Sequence, residues 1–185
     1  MSASFFRAAL IAFALTLAGM GGVGLVAARF LAPAAPLPRF ITDTFEFTLA
    51  PAWGCDLDET EYVCRKGRPP YEAIAIIALK RRGPQDNLAA YEEHLSTPQP
   101  RESGELSTIR SVKHRTLANY EWIEAVHEAS EVRNYVTVYL ATATSHVGVV
   151  ATFSFHRDYE QAVRKEMDVM ISSLKIHQQG AVKPN

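Results

Sequence analysis

The chain has 185 residues and carries 19 Lys or Arg against 20 Asp or Glu, a formal net charge of −1. So balanced a composition offers no broad positive field, which excludes nucleic acid and strongly anionic surfaces as partners drawn by charge alone. The length suits one globular domain with an appendage, large enough to bury a core without staples.

The appendage comes first. Residues 8–28 contain no charged side chain and are bracketed by Arg7 and Arg29. As a helix rising 1.5 Å per residue, such a run spans roughly 30 Å, the thickness of a bilayer core. Residues 1–31 are therefore expected to be an N-terminal transmembrane helix that anchors the protein, or a signal sequence. A signal peptide usually has a shorter apolar region, about 7–15 residues. Arg29 and Arg39 balance Arg7 and the amino terminus, so flanking charge does not orient the helix. Residues 32–39 are rich in Pro and Ala and form a short stiff linker. Residues 40–177 should form the globular domain, and residues 178–185 a flexible tail.

Residues 44–49 (TFEFTL) alternate apolar and polar side chains, the mark of a half-buried strand. Two short segments flank the turn Asp58-Glu59-Thr60 as a hairpin, with Cys55 and Cys64 on opposite arms. Residues 71–79 (YEAIAIIAL) are apolar at both parities, which predicts a strand covered on both faces. A helix follows, with Asp86 as its N-cap and Leu88, Tyr91 and Leu95 on its apolar face. Residues 97–105 form a loop, and two strands separated by a turn at Ala118-Asn119 run to about Glu128.

The last third organises the rest. Residues 133–144 and 146–156 are rich in β-branched and aromatic side chains and are separated only by Ser145. Asp158 and Gln161 then resemble a capping box. Val163, Met167, Met170 and Leu174 follow at the spacing of an amphipathic helix stripe. The expected class is α+β.

The strand around FEFTLAPAW (residues 45–53), the helix at 87–95 and the terminal strand and helix at 147–155 and 158–174 together resemble the PsbP-like fold over roughly residues 40–176. That resemblance implies an antiparallel β-sheet sandwiched between helices. It also implies a role in assembly or binding outside the cytoplasm or in a comparable compartment. No family-specific metal or binding motif is matched.

Chemistry-bearing patterns are sparse. His94, His114, His127, His146, His156 and His177 are scattered, without metal-ligand spacing, and read as surface histidines. No nucleophile motif with an activating base is present. Cys55 and Cys64 are expected to form a disulfide, since facing residues of a short hairpin come within bonding reach. Such a bond persists in an oxidising compartment and places the domain outside the cytoplasm. Three surfaces remain: the acidic tip with Asp56, Asp58, Glu59 and Glu61, the basic turn Lys80-Arg81-Arg82, and the loop at 97–105. The tip is the expected partner contact.

The function expected is a membrane-tethered, non-catalytic binding or assembly module facing the extracytoplasmic side. The alternatives are a structural subunit of a cell-envelope complex and an enzyme with an unrecognised site. The reading implies no cofactor, no metal and no nucleic acid, with a protein partner and a membrane contact through the N-terminal helix. The location implied is the cytoplasmic (inner) membrane, single-pass, or the periplasm after signal cleavage.

Overall fold

A computed structural model describes residues 36–100, 104–130 and 132–177. The expected anchor or signal at 1–31 and the tail at 178–185 lie outside the described residues.

Two antiparallel sheets carry the domain. The smaller has three strands, in the order β1 (Arg39–Ile41), β2 (Phe45–Thr48) and β10 (Lys175–Ile176). The larger has seven strands in the order β3-β4-β5-β9-β8-β7-β6. These are β3 (Trp53–Asp58), β4 (Glu61–Lys66), β5 (Ala73–Arg81), β6 (Thr108–Leu117), β7 (Tyr120–Glu128), β8 (Tyr135–Ala143) and β9 (Val147–His156). Helix α1 (Leu88–Leu95) lies on one face of the large sheet. Helix α2 (Glu160–Ser172) and the small sheet bury the other. Most connections between neighbouring strands are short hairpins. At Ala118 and Asn119 both φ angles are positive, 51° and 65°, the conformation a two-residue turn between twisted strands requires.

Burial follows strand alternation. On the α2 face, Phe45, Phe47, Trp122, Phe153 and Phe155 are buried together with Val163, Met167, Met170 and Leu174, the stripe read from the sequence. On the α1 face the core is smaller, built on Leu95, Ile123, Ala125 and Ala141.

Four expectations need correction. The strand at 71–79 begins at Ala73 and runs on to Arg81. Ala73, Ala75 and Ile77 are buried, but Ile74 on the opposite face is 37% exposed. The reason is coverage: a helix about 10 Å across spans roughly two strands spaced 4.8 Å apart, and α1 packs on β7 and β8. Asp86 is not the N-cap of α1; Asn87 is, its side chain accepting a hydrogen bond from the Ala90 N–H at 3.0 Å. The Asp158/Gln161 capping box does not form either. Residues Arg157–Tyr159 make a 3₁₀ turn whose Asp158 N–H donates to His156 Nδ1 at 3.3 Å, and the α-helix starts at Glu160. Finally, His127 is not at the surface but fully buried.

The chain also contains a cis Pro69-Pro70 bond and the short strand β1, neither anticipated from the sequence.

Candidate functional site

The register of the large sheet decides which of the three sequence-marked surfaces belong together. Tyr62 faces Ile77 across β4 and β5, so the β3–β4 tip stands level with the last residues of β5. Arg81 faces Val147 across β5 and β9, so the basic turn adjoins the β8–β9 hairpin. The acidic tip and the basic turn thus share one end of the sheet. The described parts of the loop, residues 97–100 and 104–105, lie at the other end, where Ser107 leads into β6 opposite Glu128.

The tip is a two-stranded projection. Asp56, Asp58, Glu59 and Glu61 are all exposed, as is Leu57 at 61%. Glu59 has φ of 54°, which turns the chain sharply between the arms. Asp58 is in an ion pair with Arg65 at 3.4 Å. Asp56, Glu59 and Glu61 have no ion pair among the described residues. Cys55 and Cys64 face each other with Cα atoms 3.9 Å apart and are joined by a disulfide, as the hairpin reading required. Cys64 is completely buried against the α2-side core. The bond therefore ties the edge strand β3, which has one hydrogen-bonding neighbour, to the packed interior.

The basic turn is built on a carboxylate that sequence reading assigned to a helix cap. Asp86 is 4% exposed and sits under the turn. Its Oδ2 accepts the Gly83 N–H at 2.6 Å, its Oδ1 accepts the Tyr91 hydroxyl at 2.8 Å, and Lys80 Nζ lies 2.9 Å away. The Gly83 hydrogen bond, aided by Lys80 and Tyr91, holds the carboxyl down at about 2. Burial, together with the bond to Asp86, pushes the Tyr91 phenol up. Arg82 donates to the Asp86 carbonyl and to the Thr144 carbonyl, both at 3.0 Å. Gly148 is required beside this network, since a Cβ there would fall 2.6 Å from Tyr91 Oη. Lys80 and Arg82 thus serve the local fold.

An aspartate lowered from 3.8 to about 2 on folding adds stability that is complete above the upper value and lost as pH falls through the lower one. Urea unfolding measured between about pH 4 and pH 2 should show Asp86→Asn losing less stability on acidification than the native chain. Equal pH slopes would remove Asp86 from the acid response.

Two further polar clusters are structural in their contacts. His127 Nε2 lies 2.9 Å from the Leu95 carbonyl, to which it must donate, so Nδ1 accepts from the Ser107 hydroxyl at 3.1 Å. This pins the end of α1 to β7. It has the atoms of a nucleophile–base pair, but both side chains are buried and a backbone carbonyl stands where a carboxylate would orient the base. On the α2 face, Glu124 is fully buried among Lys113, Arg115 and Arg164. Burial pushes its carboxyl up, and hydrogen bonds from Arg115 and Arg164 more than reverse this, leaving it lowered. Among the described residues, no group of three or more His, Cys, Asp or Glu side chains is gathered to hold a metal.

Sequence reading missed the cleft beside the basic turn. A cavity of about 720 Å³ lies between the two sheets, its lining including Leu79 and Arg81 of β5, Val147 of β9, Ile176 of β10, and Thr44 and His177 of the adjoining turns, with the basic turn and the β8–β9 hairpin completing it. These residues are far apart in the chain, and their meeting depends on β10 pairing with β2.

Strand order, helix placement and the stapled hairpin define an antiparallel sheet between helices, and the chain has the PsbP-like fold. Its sequence matches no family model and no curated protein. The solved structures it resembles include cyanobacterial PsbP (CyanoP) from Synechocystis sp. PCC 6803, at 10% identity and a TM-score of 0.55, covering 80% of this chain and 96% of that one. They also include LpqN of Mycobacterium tuberculosis, described as involved in cell envelope biogenesis, at 8% identity and a TM-score of 0.57, over 78% of this chain and 87% of that one. A protein from Bacteroides thetaiotaomicron aligns at 12% identity and a TM-score of 0.57; the match covers 81% of this chain but 52% of that one. At these identities the likeness is one of fold.

Proposed function

We propose that the chain is a membrane-tethered, non-catalytic binding or assembly module displayed outside the cytoplasm, and that it holds a protein partner through the acidic tip. The observation that carries this reading is the tip itself: four exposed carboxylates, three of them without an ion pair among the described residues, on a hairpin whose disulfide fixes it to the core. A pre-formed surface loses less conformational freedom on binding than a loose loop. The charge calls for a basic face on the partner, and Leu57 supplies an apolar contact among the acids. The disulfide supports an oxidising compartment. The fold shared with a protein of cell-envelope biogenesis supports an envelope role. The charge-free run at 8–28 supports the tether. The buried Ser107–His127 contact, closed to substrate, supports a role without catalysis.

Crosslinking and recovery of partners from native membranes tests the proposal. With Asp56, Asp58, Glu59 and Glu61 all replaced by Ser or Asn, recovery should fall by about tenfold, roughly 1.4 kcal/mol of binding, while the fold persists. Undiminished recovery of the same partners would reject the tip. Intact-mass measurement of the mature native protein tests the tether: natural loss of roughly its first 25–35 residues, the signal-peptide range, would reject it.

A further inference from the structure

We propose that the cleft between the two sheets is a binding site for a small amphipathic anion, an apolar body bearing one phosphate or carboxylate, and that Arg81 is its anion-binding group. The inference is independent of the partner proposed for the acidic tip. The cavity holds about 720 Å³, within the roughly 300–1,000 Å³ of small-molecule sites. Its wall is divided by chemistry. Leu79, Val147 and Ile176 line it and are each partly buried, so they offer apolar surface that the core has not consumed. Thr44 and His177, from the turns flanking the small sheet, add polar groups to the same lining. Among the described residues, no Asp or Glu lines it.

The three adjacent basic residues differ in what is left for a ligand. Lys80 is matched by the Asp86 carboxylate at 2.9 Å, and Asp86 stays ionised. Arg82 is held by two backbone carbonyls. Arg81 is exposed, and its guanidinium makes no hydrogen bond or ion pair among the described residues. Lys80 and Arg82 also line the cleft, but their charged ends are engaged, whereas Arg81, two residues from Leu79 on the strand and so on its face, has its guanidinium left for a ligand. Asp43 precedes Thr44 but turns its backbone carbonyl toward His177 Nδ1, at 3.3 Å.

A guanidinium with no internal partner beside half-covered apolar wall recognises two things together. Its planar fork fits a phosphate or carboxylate through two parallel hydrogen bonds. The wall rewards an apolar body on the same molecule. Either part alone uses half the site.

The test titrates the full chain, reconstituted in phosphatidylcholine nanodiscs, with phenyl phosphate and benzoate. The controls are phenyl glucoside, which keeps the body without the charge, and inorganic phosphate, which keeps the charge without the body. At least one of the two aromatic anions should bind saturably, and both controls at least about tenfold more weakly. Arg81→Ser should raise its Kd by at least about tenfold and Arg81→Lys by less. Replacing the exposed Lys165 with Ser should leave it unchanged, as should thermal unfolding measured on the Arg81 variants. Adding phosphatidic acid to the nanodiscs identifies the source: competition with the soluble probe marks a lipid head group, and unchanged affinity marks a free ligand. Absence of saturable binding by both anions would overturn the proposal. So would an unchanged Kd in both Arg81 variants, or phenyl glucoside binding as tightly as the anions.

Discussion

Glu124→Ala should destabilise the domain by about 3 kcal/mol, the lower end of the roughly 3–5 kcal/mol seen when one partner of a buried ion pair is removed. Glu124 is fully buried, with Oε2 2.5 Å from Arg115 Nη1, Oε1 2.7 Å from Arg164 Nη2 and Oε1 3.2 Å from Lys113 Nζ. Asp168 lies 3.0 Å from Arg115 and is the other acid of the cluster. The cluster joins β6, β7 and α2, as Arg110 does at the other end of the same elements through Glu128 and Glu160. Removing the central carboxylate leaves Lys113, Arg115 and Arg164 facing one another with Asp168 as their counter-charge. Arg115 and Arg164 keep 23% and 25% exposure, so water screens part of the repulsion and sets the effect at the lower end. Glu124→Gln retains the shape and some hydrogen bonds and should cost less. The triple change Glu124→Leu, Arg115→Met and Arg164→Leu should recover most of the loss, because the cost lies in stranding charge rather than in losing an indispensable bond. Urea denaturation of the four proteins decides it. A single-variant loss below about 1 kcal/mol would show the cluster behaving as a surface pair.

The cluster also marks where sequence reading reaches its limit. Strand alternation at Phe45 and Phe47 and the helix stripe from Val163 to Leu174 were legible because each pattern repeats along a few consecutive residues, and all of these side chains except partly exposed neighbours end in one core. The Cys55–Cys64 pairing was legible for the same reason: one tight turn sets its register. Glu124, His127 and Asp86 gave no such signal. Glu124 and His127 are polar residues whose burial depends on a partner 9 to 40 residues away, Arg115 and Arg164 for Glu124 and Leu95 for His127, while Asp86 is held by Gly83 and Tyr91, three and five residues away across the bend of the turn. A polar side chain next to a strand or helix start reads as surface or cap until tertiary structure supplies its partner. The acidic tip and the basic turn were both visible in the sequence. That they share one end of the sheet required the β4–β5–β9 register, and the cleft beside them required the return of the chain at β10.

Replacing Cys55 and Cys64 together with Ser should lower the stability of the oxidised domain by about 2–3 kcal/mol. The separation of the two cysteines is nine residues. Closing a loop of that size removes roughly this much conformational freedom from the unfolded chain in the chain-entropy account. The folded state changes less, because β4 keeps its hydrogen bonds to β5 from Tyr62 to Lys66 whatever happens at the cysteines. Cys64 is wholly buried, so a serine there adds the cost of a hydroxyl in an apolar site to the lost crosslink. Cys55→Ala with Cys64→Ala separates the two contributions, because alanine brings no polar group. The damage should be local in the folded protein. β3 is an edge strand held by β4 alone, so hydrogen exchange should quicken in residues 53–58 and at the tip and stay near native in β5, β8 and β9. The same variants bear on binding. If the disulfide acts by fixing the tip in advance, partner affinity falls even though Asp56, Asp58, Glu59 and Glu61 are untouched. Unchanged stability in both double variants would assign the bond no part in holding the fold. Faster exchange at the tip with undiminished partner recovery would show that the partner does not depend on a pre-ordered hairpin.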